Sequence, residues 1–252
     1  MENAKPTNII QSLQVGMSII DSIAAYGRPM RFSDILESTN TTKSNLYKYL
    51  NTLTLLDLLY RDPATGHYTL GAKLIQYGML AVNQEDDITS RATPFIEEMC
   101  NHTNHTILLT IWTNKGPIII KIQNPPYLLN IGAQLGTILP PHSSAGKIYL
   151  SYLDADQTKS WVEDYEGEKE GISQEEILLI KQEKIALASE PIISSISSIS
   201  VPILNYQEHL LGTLTIVGFK GEIPDSIHHP LSVYLRKKSS ELSECYGYRQ
   251  NN

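Results

Sequence analysis

The stretch Arg31–Leu70, RFSDILESTNTTKSNLYKYLNTLTLLDLLYRDPATGHYTL, decides how the first part of the chain folds. Ser33 stands in an N-cap position before Ile35-Leu36, which predicts a short helix. Thr39-Asn40-Thr41-Thr42 is a polar break. From Lys43 to Leu56 the helical pattern resumes, with Leu46, Tyr49, Leu50 and Leu53 at i, i+3, i+4 and i+7, a stripe that should face a core. A helix, a polar turn of about four residues and a second helix make a helix-turn-helix signature. The opposite stripe carries Ser44, Asn45, Lys48, Asn51 and Thr52, with Lys43 and Tyr47 alongside and Thr42 at its start. All of these can donate a hydrogen bond and none is acidic. Asn reads adenine edges, Ser reaches base or phosphate, and Lys and Tyr suit either, so this face is expected to enter a DNA groove. A solvated helix face has a similar composition; the short helix and tight turn in front favour DNA. Leu58–Arg61 and His67–Leu70, joined by Asp62-Pro63-Ala64-Thr65-Gly66, are two β-prone runs around a Pro/Gly turn, a hairpin wing. Arg61 and His67 are its candidates for a flanking phosphate or the minor groove, although His67 reads equally well as a plain strand residue.

On the N-terminal side, Ile10, Leu13, Met17, Ile20 and Ile23 predict an amphipathic helix over residues 9–25, ended by Gly27 and Pro29. On the C-terminal side, Gly71–Val82 reads as one helix before the polar run Asn83–Asp87, where we place the domain boundary. Leu74, Tyr77 and residues 79–81 are expected to join domains or pair with a second subunit. The expected division is 1–70 for the DNA-binding domain, 71–87 for a linker helix and 88–252 for a second domain.

The 252-residue chain is long enough for two domains of ordinary size. Its net charge of −7 argues at first against nucleic acid, but the charge is uneven. Residues 1–80 hold seven Lys/Arg against six Asp/Glu, whereas residues 81–252 hold thirteen against twenty-one. DNA affinity depends on where cations sit rather than on their total. No apolar run is long enough for a membrane span, the N-terminus lacks a signal-peptide core, and the two cysteines, Cys100 and Cys245, have no zinc or disulfide spacing. The expected setting is the cytoplasm, with no membrane partner, no metal and no cofactor.

The second part has another rhythm. A helix is expected over 91–102, strands over 105–113 and 117–123 around the turn Asn114-Lys115-Gly116, and a third strand over 127–131. The loop GAQLGTILPPHSSAGK leads to a helix over 148–153. A charged helix is expected over 173–188, a second hairpin from 199–205 and 210–219, and a closing helix over 224–246. Hairpin-joined strands flanked by helices predict an α+β architecture: a winged helix-turn-helix, a linker helix, and an α/β sensor domain with an antiparallel sheet, GAF- or PAS-like.

With these motifs placed, the chain resembles the IclR family of bacterial transcription regulators over nearly its whole length. Lys43-Ser44 followed by Tyr47-Lys48, Leu50 and Leu53 is similar to the family's recognition helix, and Arg61-Asp62-Pro63 with Gly66, Tyr68, Leu70 and Gly71 to its wing and exit. Gly136-Thr137-Ile138-Leu139-Pro140, His142 and Ala145-Gly146-Lys147 resemble the loop before its pocket helix; Val201-Pro202-Ile203, Gly212 and Gly218 resemble its last hairpin. Asp57 stands where relatives carry the glycine that ends the recognition helix, the loop at His142–Lys147 is one residue short, and Ser198 replaces a cysteine. The resemblance implies a DNA-binding regulator, repressor or activator, that acts as a homodimer or tetramer on a palindromic operator under control of a small-molecule effector, an organic acid or aromatic metabolite. It places effector contacts at Ser143, Ser144, Ala145, Ser198, Thr215 and Val217, with Ile131 on a facing strand. Three hydroxyls and a helix start near Ala145 offer neutral donors for a carboxylate, with no arginine for a bidentate clamp; Ser143-Ser144 acting only as helix caps is the plain alternative.

Two other functions compete. The C-terminal domain could serve only to oligomerise. An enzyme finds little support: Ala145-Gly146-Lys147 lacks the first glycine and the Ser/Thr of a phosphate loop, and no Gly-x-Ser-x-Gly elbow accompanies His142.

Overall fold

The computed structural model describes residues 9–82, 88–126, 133–165, 172–189 and 192–249. The chain divides into two compact units, Met1–Gln84 and Glu85–Asn252. Unit 1 contains α1 (Gln11–Tyr26), α2 (Phe32–Ser38), α3 (Lys43–Leu55), β1 (Leu59–Arg61), β2 (Tyr68–Leu70) and α4 (Ala72–Val82). Its core is the predicted apolar stripe: Leu46, Leu50 and Leu53 of α3 pack with Ile19, Ile20 and Ile23 of α1, Ile35 of α2, Leu59 and Tyr68. α1 ends at Gly27 in the left-handed conformation, φ 69°.

The start of α2 corrects the sequence reading. Ser33 is not the N-cap; the helix begins at Phe32, and the Asp34 carboxylate accepts the Arg31 amide at 3.2 Å from inside the first turn. Phe32 packs against the core, which pulls the first turn back by two residues. α3 is capped at one end by Thr42, whose hydroxyl accepts from the Asn45 amide at 3.4 Å. At the other end Asp57 adopts φ 61°, the Asp57 amide donates to Thr54 O at 3.0 Å and the Leu58 amide to Leu53 O at 2.9 Å. That pair of bonds is a Schellman motif built on Asp in place of Gly. Gly71 then lets the exit from β2 pass directly over the Asp57–Leu58 backbone, where any Cβ would collide.

Unit 2 runs α5 (Ile88–Thr103), β3 (Thr106–Thr113), β4 (Gly116–Gln123), α6 (Ser144–Tyr152), α7 (Ala155–Glu163), α8 (Gln174–Glu183), β5 (Ala186–Ser189), β6 (Ile196–Leu204), β7 (Leu210–Phe219) and α9 (Pro230–Glu244). The five strands form one antiparallel sheet in the order β4-β3-β7-β6-β5. One face, with Ile107, Leu109, Ile199, Val201, Ile203, Leu214 and Ile216, is closed by α5 and α9 into the main core. The other face carries Leu108, Ser200, Thr215 and Val217 and is covered by α6.

Four expectations change. The closing helix expected over 224–246 starts only at Pro230, with His229 as its cap. The charged helix over 173–188 stops at Lys184, φ 54°, and residues 186–189 become β5. The backbone of Ser197–Ser200 would otherwise be an unpaired sheet edge, and Ala186–Ser189 supplies its partner. The helix over 148–153 starts at Ser144, because Ser143 caps it. The helix α7 was not anticipated. The strand expected over 127–131 lies outside the described residues. Among the described residues no helix is long and apolar enough to cross a membrane.

Candidate nucleic-acid interface and effector cavity

On α3 the core stripe leaves Lys43, Ser44, Asn45, Tyr47, Lys48 and Asn51 on the exposed face. Among the described residues these six side chains engage no protein partner, whereas the Thr52 hydroxyl donates to Lys48 O at 2.9 Å. The wing turn is held by Asp62, whose carboxylate accepts the Ala64 and Thr65 amides at 2.7 and 3.0 Å. Those two donors lower the Asp62 pKa below its ordinary 3.8. Gly66, φ 72°, closes the turn and lies against the Arg61 guanidinium. Arg61 also sits over the Tyr68 ring at 5.6 Å. His67 is half-buried and accepts from Arg31 Nε at 3.2 Å, so its proton sits on Nδ1. Arg31 thereby joins the wing, a cation that its place before α2 did not reveal.

In unit 2 the sequence-predicted effector residues come together around one cavity of about 110 Å³. Ser143, Ser144 and Ala145 enter from the start of α6; Ser198, Thr215 and Val217 rise from the sheet. Register explains the convergence: Thr106 pairs with Val217 and Val217 with Ser198, while Leu108 pairs with Thr215 and Thr215 with Ser200, and paired residues share a face. Ile131 lies outside the described residues. The walls missed by sequence reasoning are Leu108, Ile119, Ala133, Thr137, Leu139 and the apolar segment Ile192, Ile193 and Ile196. The period of two on β3 and β7 was the available signal for Leu108.

The hydroxyls are not equivalent. Ser143 is a cap: it accepts from the Gly146 amide at 3.0 Å and donates to Pro140 O at 2.7 Å. Ser144 is not; it donates to Ser198 Oγ at 2.7 Å and stands 2.8 Å from Ser200 Oγ, which is 2.7 Å from Thr215 Oγ1. Each hydroxyl has one proton. With Ser144 donating to Ser198, Ser200 must donate to Ser144 and Thr215 to Ser200. The chain runs Thr215→Ser200→Ser144→Ser198, and the unused proton is that of Ser198. Gly146 is required here, since a methyl would strike the Pro140 and Pro141 backbone. The ammonium of Lys147 bonds Glu176 Oε1 at 2.7 Å and Leu187 O at 3.1 Å, tying α6 to α8 and β5. Beside the cavity, Trp161 donates from Nε1 to Leu139 O at 3.1 Å and meets Trp112 edge-on at 5.3 Å.

A helix-turn-helix with an acid-free exposed face and a sheet domain enclosing a cavity are matched by two family profiles. The description "IclR helix-turn-helix domain" covers residues 12–63, and "Bacterial transcriptional regulator IclR C-terminal" covers residues 80–244. The chain belongs to the IclR family. It is a DNA-binding transcriptional regulator with an effector-binding C-terminal domain. Among IclR relatives it is 24% identical to the HTH-type transcriptional regulator XynR of Escherichia coli K12, over 95% of this chain and 98% of that protein. The crystal structure of Thermotoga maritima IclR shares its fold with a TM-score of 0.75 at 21% identity, covering 95% of this chain and all of that one. An IclR homolog from Microbacterium hydrocarbonoxydans, solved in complex with 4-hydroxybenzoate, also gives 0.75, at 16% identity over 92% and 98% of the two chains.

Proposed function

We propose that the exposed face of α3 reads the operator. In this reading Asn45, Asn51 and Ser44 meet base edges, and Lys43, Lys48, Tyr47 and Thr42 meet bases or phosphates. Arg61 and His67, with Arg31 behind them, hold the wing against the flanking backbone. The protein works in the cytoplasm as a homodimer or tetramer on a palindromic site, because a two-fold protein matches a two-fold operator. The cavity under α6 takes the effector, a small molecule no larger than about one aromatic ring, since its volume of about 110 Å³ lies below the roughly 150 Å³ of a hydrocarbon-lined cavity that holds benzene. The relative bound to 4-hydroxybenzoate supports a ligand of that size. Regulation, not catalysis, is the role.

The observation that carries this reading is a helix face with six exposed, non-acidic side chains and no protein partners among the described residues. Lys48→Ala and Asn45→Ala are expected to abolish operator binding in a gel-shift assay at fixed salt, with circular dichroism and oligomer size unchanged. Wild-type affinity in both variants would sink the assignment.

A further inference from the structure

The wing holds a side-chain contact that base reading by α3 does not use. Arg31 stands just before α2, and its Nε donates to His67 Nε2 at 3.2 Å. A ring nitrogen that accepts a hydrogen bond carries no proton, so His67 is neutral in this state. The Arg31 guanidinium is exposed, and among the described residues no carboxylate pairs with it. Asp34 is engaged by the Arg31 backbone amide at 3.2 Å and by the Ser33 hydroxyl at 3.1 Å. Asp62 is engaged by the Ala64 and Thr65 amides. Arg61 lies against Gly66 and over the Tyr68 ring, the residues on either side of His67. Two guanidinium groups and an imidazole thus gather at one turn.

We propose that Arg31 and His67 bind one operator phosphate together, and that His67 takes up a proton as they do so. This rests on the wing meeting the operator backbone, and adds control of that contact by pH. A phosphate oxygen is a stronger acceptor for a guanidinium than a neutral imidazole is, because the bond is then charge-assisted. When Arg31 turns its donors to the phosphate, the His67 lone pair loses its partner and faces an anion. Protonation converts that lone pair into a second donor, and the nearby negative charge favours the charged ring. The proton comes from solvent, and the bound wing carries one more positive charge than the free one. A complex that binds more protons than its parts gains affinity as pH falls through the imidazole range and loses it as pH rises. The charged groups around His67 are Arg31 from the α2 side, and Arg61 and Asp62 from the wing. These are present in both states; the phosphate is what the complex adds. Asp62 holds the turn throughout this range, so the dependence belongs to the DNA contact and not to the fold of the wing.

The full-length protein is tested on a duplex that it selects itself from a randomised pool, by fluorescence anisotropy at fixed salt between about pH 6 and pH 8. Affinity is expected to rise at least about threefold per subunit from the upper to the lower pH, hence about tenfold for a dimer on two half-sites. His67→Asn keeps an acceptor for Arg31 but does not titrate. It should flatten the profile and bind at least about tenfold more weakly than the wild type at the lower pH; His67→Gln replaces it if it misfolds. Calorimetry in two buffers of different ionisation enthalpy should show proton uptake on binding by the wild type and less by the variant. Arg31→Gln should lower the slope of log affinity against log salt by about one per subunit, the mark of a lost phosphate contact, which a merely structural residue would leave unchanged. A flat wild-type profile, or the same profile in the His67 variant, overturns the proposal, and so does an unchanged salt slope in Arg31→Gln. Loss of binding in Lys48→Ala alongside any of these leaves the operator-reading role of α3 standing. Selection of no duplex at any pH in the range overturns both.

Discussion

At the residue scale, two positions show how a side chain is chosen by its surroundings. Asp57 follows α3 in the left-handed conformation, φ 61°, a backbone that favours glycine. Asp tolerates this backbone through its short polar side chain, but it retains a Cβ. Asp57→Gly is therefore expected to stabilise unit 1 by up to about 1 kcal/mol, and Asp57→Val to destabilise it by about 1–2 kcal/mol, in denaturant unfolding. Ser200 is the middle link of the buried hydroxyl chain and is fully buried. Ser200→Ala leaves Thr215 without its acceptor and Ser144 without its donor, at a cost of about 1–3 kcal/mol. A loss well below this in urea titration would show that water or a rotated hydroxyl replaces the link. The capping role of Ser143 and the chain role of Ser144 were both compatible with a bare Ser-Ser pair. Only their neighbours separate them.

At the element scale, the wing depends on one carboxylate. Asp62 organises the turn by accepting two backbone amides, and they hold its pKa below 3.8 in the folded state. A folded pKa below the unfolded one contributes stability that is fully present above 3.8 and fades as pH falls through the lower folded value. The wing should thus be insensitive to pH across the neutral range and loosen only in strong acid, as followed by hydrogen exchange of the Ala64 and Thr65 amides. Asp62→Ala should abolish that acid transition, speed the same exchange at pH 7 and weaken operator binding, with little change in the overall melting temperature. The helix α3 was legible because its buried face, Leu46, Leu50 and Leu53, is written in the residue period, and the hairpin β6–β7 because two apolar runs flank a polar turn. The strand β5 was not, since Ala-Leu-Ala-Ser continues a helical composition and becomes a strand only because the edge of β6 is there to pair with it.

At the scale of the whole molecule, each unit has its own apolar core, and the acidic excess belongs to the second. A fragment of residues 85–252 is expected to fold and keep the ligand-induced shift of the full chain while losing DNA binding. A fragment of residues 1–84 should fold but bind a palindromic operator at least about a hundredfold more weakly, because two half-sites are then no longer linked through the second domain. Gel shifts and sedimentation of both fragments check this; tight operator binding by the short fragment as a monomer would contradict it. The salt dependence of the full protein should be steep, as expected for a reader whose affinity comes from local cations inside an anionic molecule.

Periodicity, turn residues and the uneven charge were sufficient, from sequence alone, for the helix-turn-helix, the wing and the antiparallel sensor domain. These are local properties, because a helix or hairpin carries its pattern within a few residues. The convergence of Ser144, Ser198, Ser200 and Thr215 across 72 positions of chain was decided only by sheet register and by the landing of α6 on the sheet. So was the direction of the protons along that chain. Hydrogen-bond donors are counted in space, and sequence spacing holds no record of which hydroxyl is left with a proton to give.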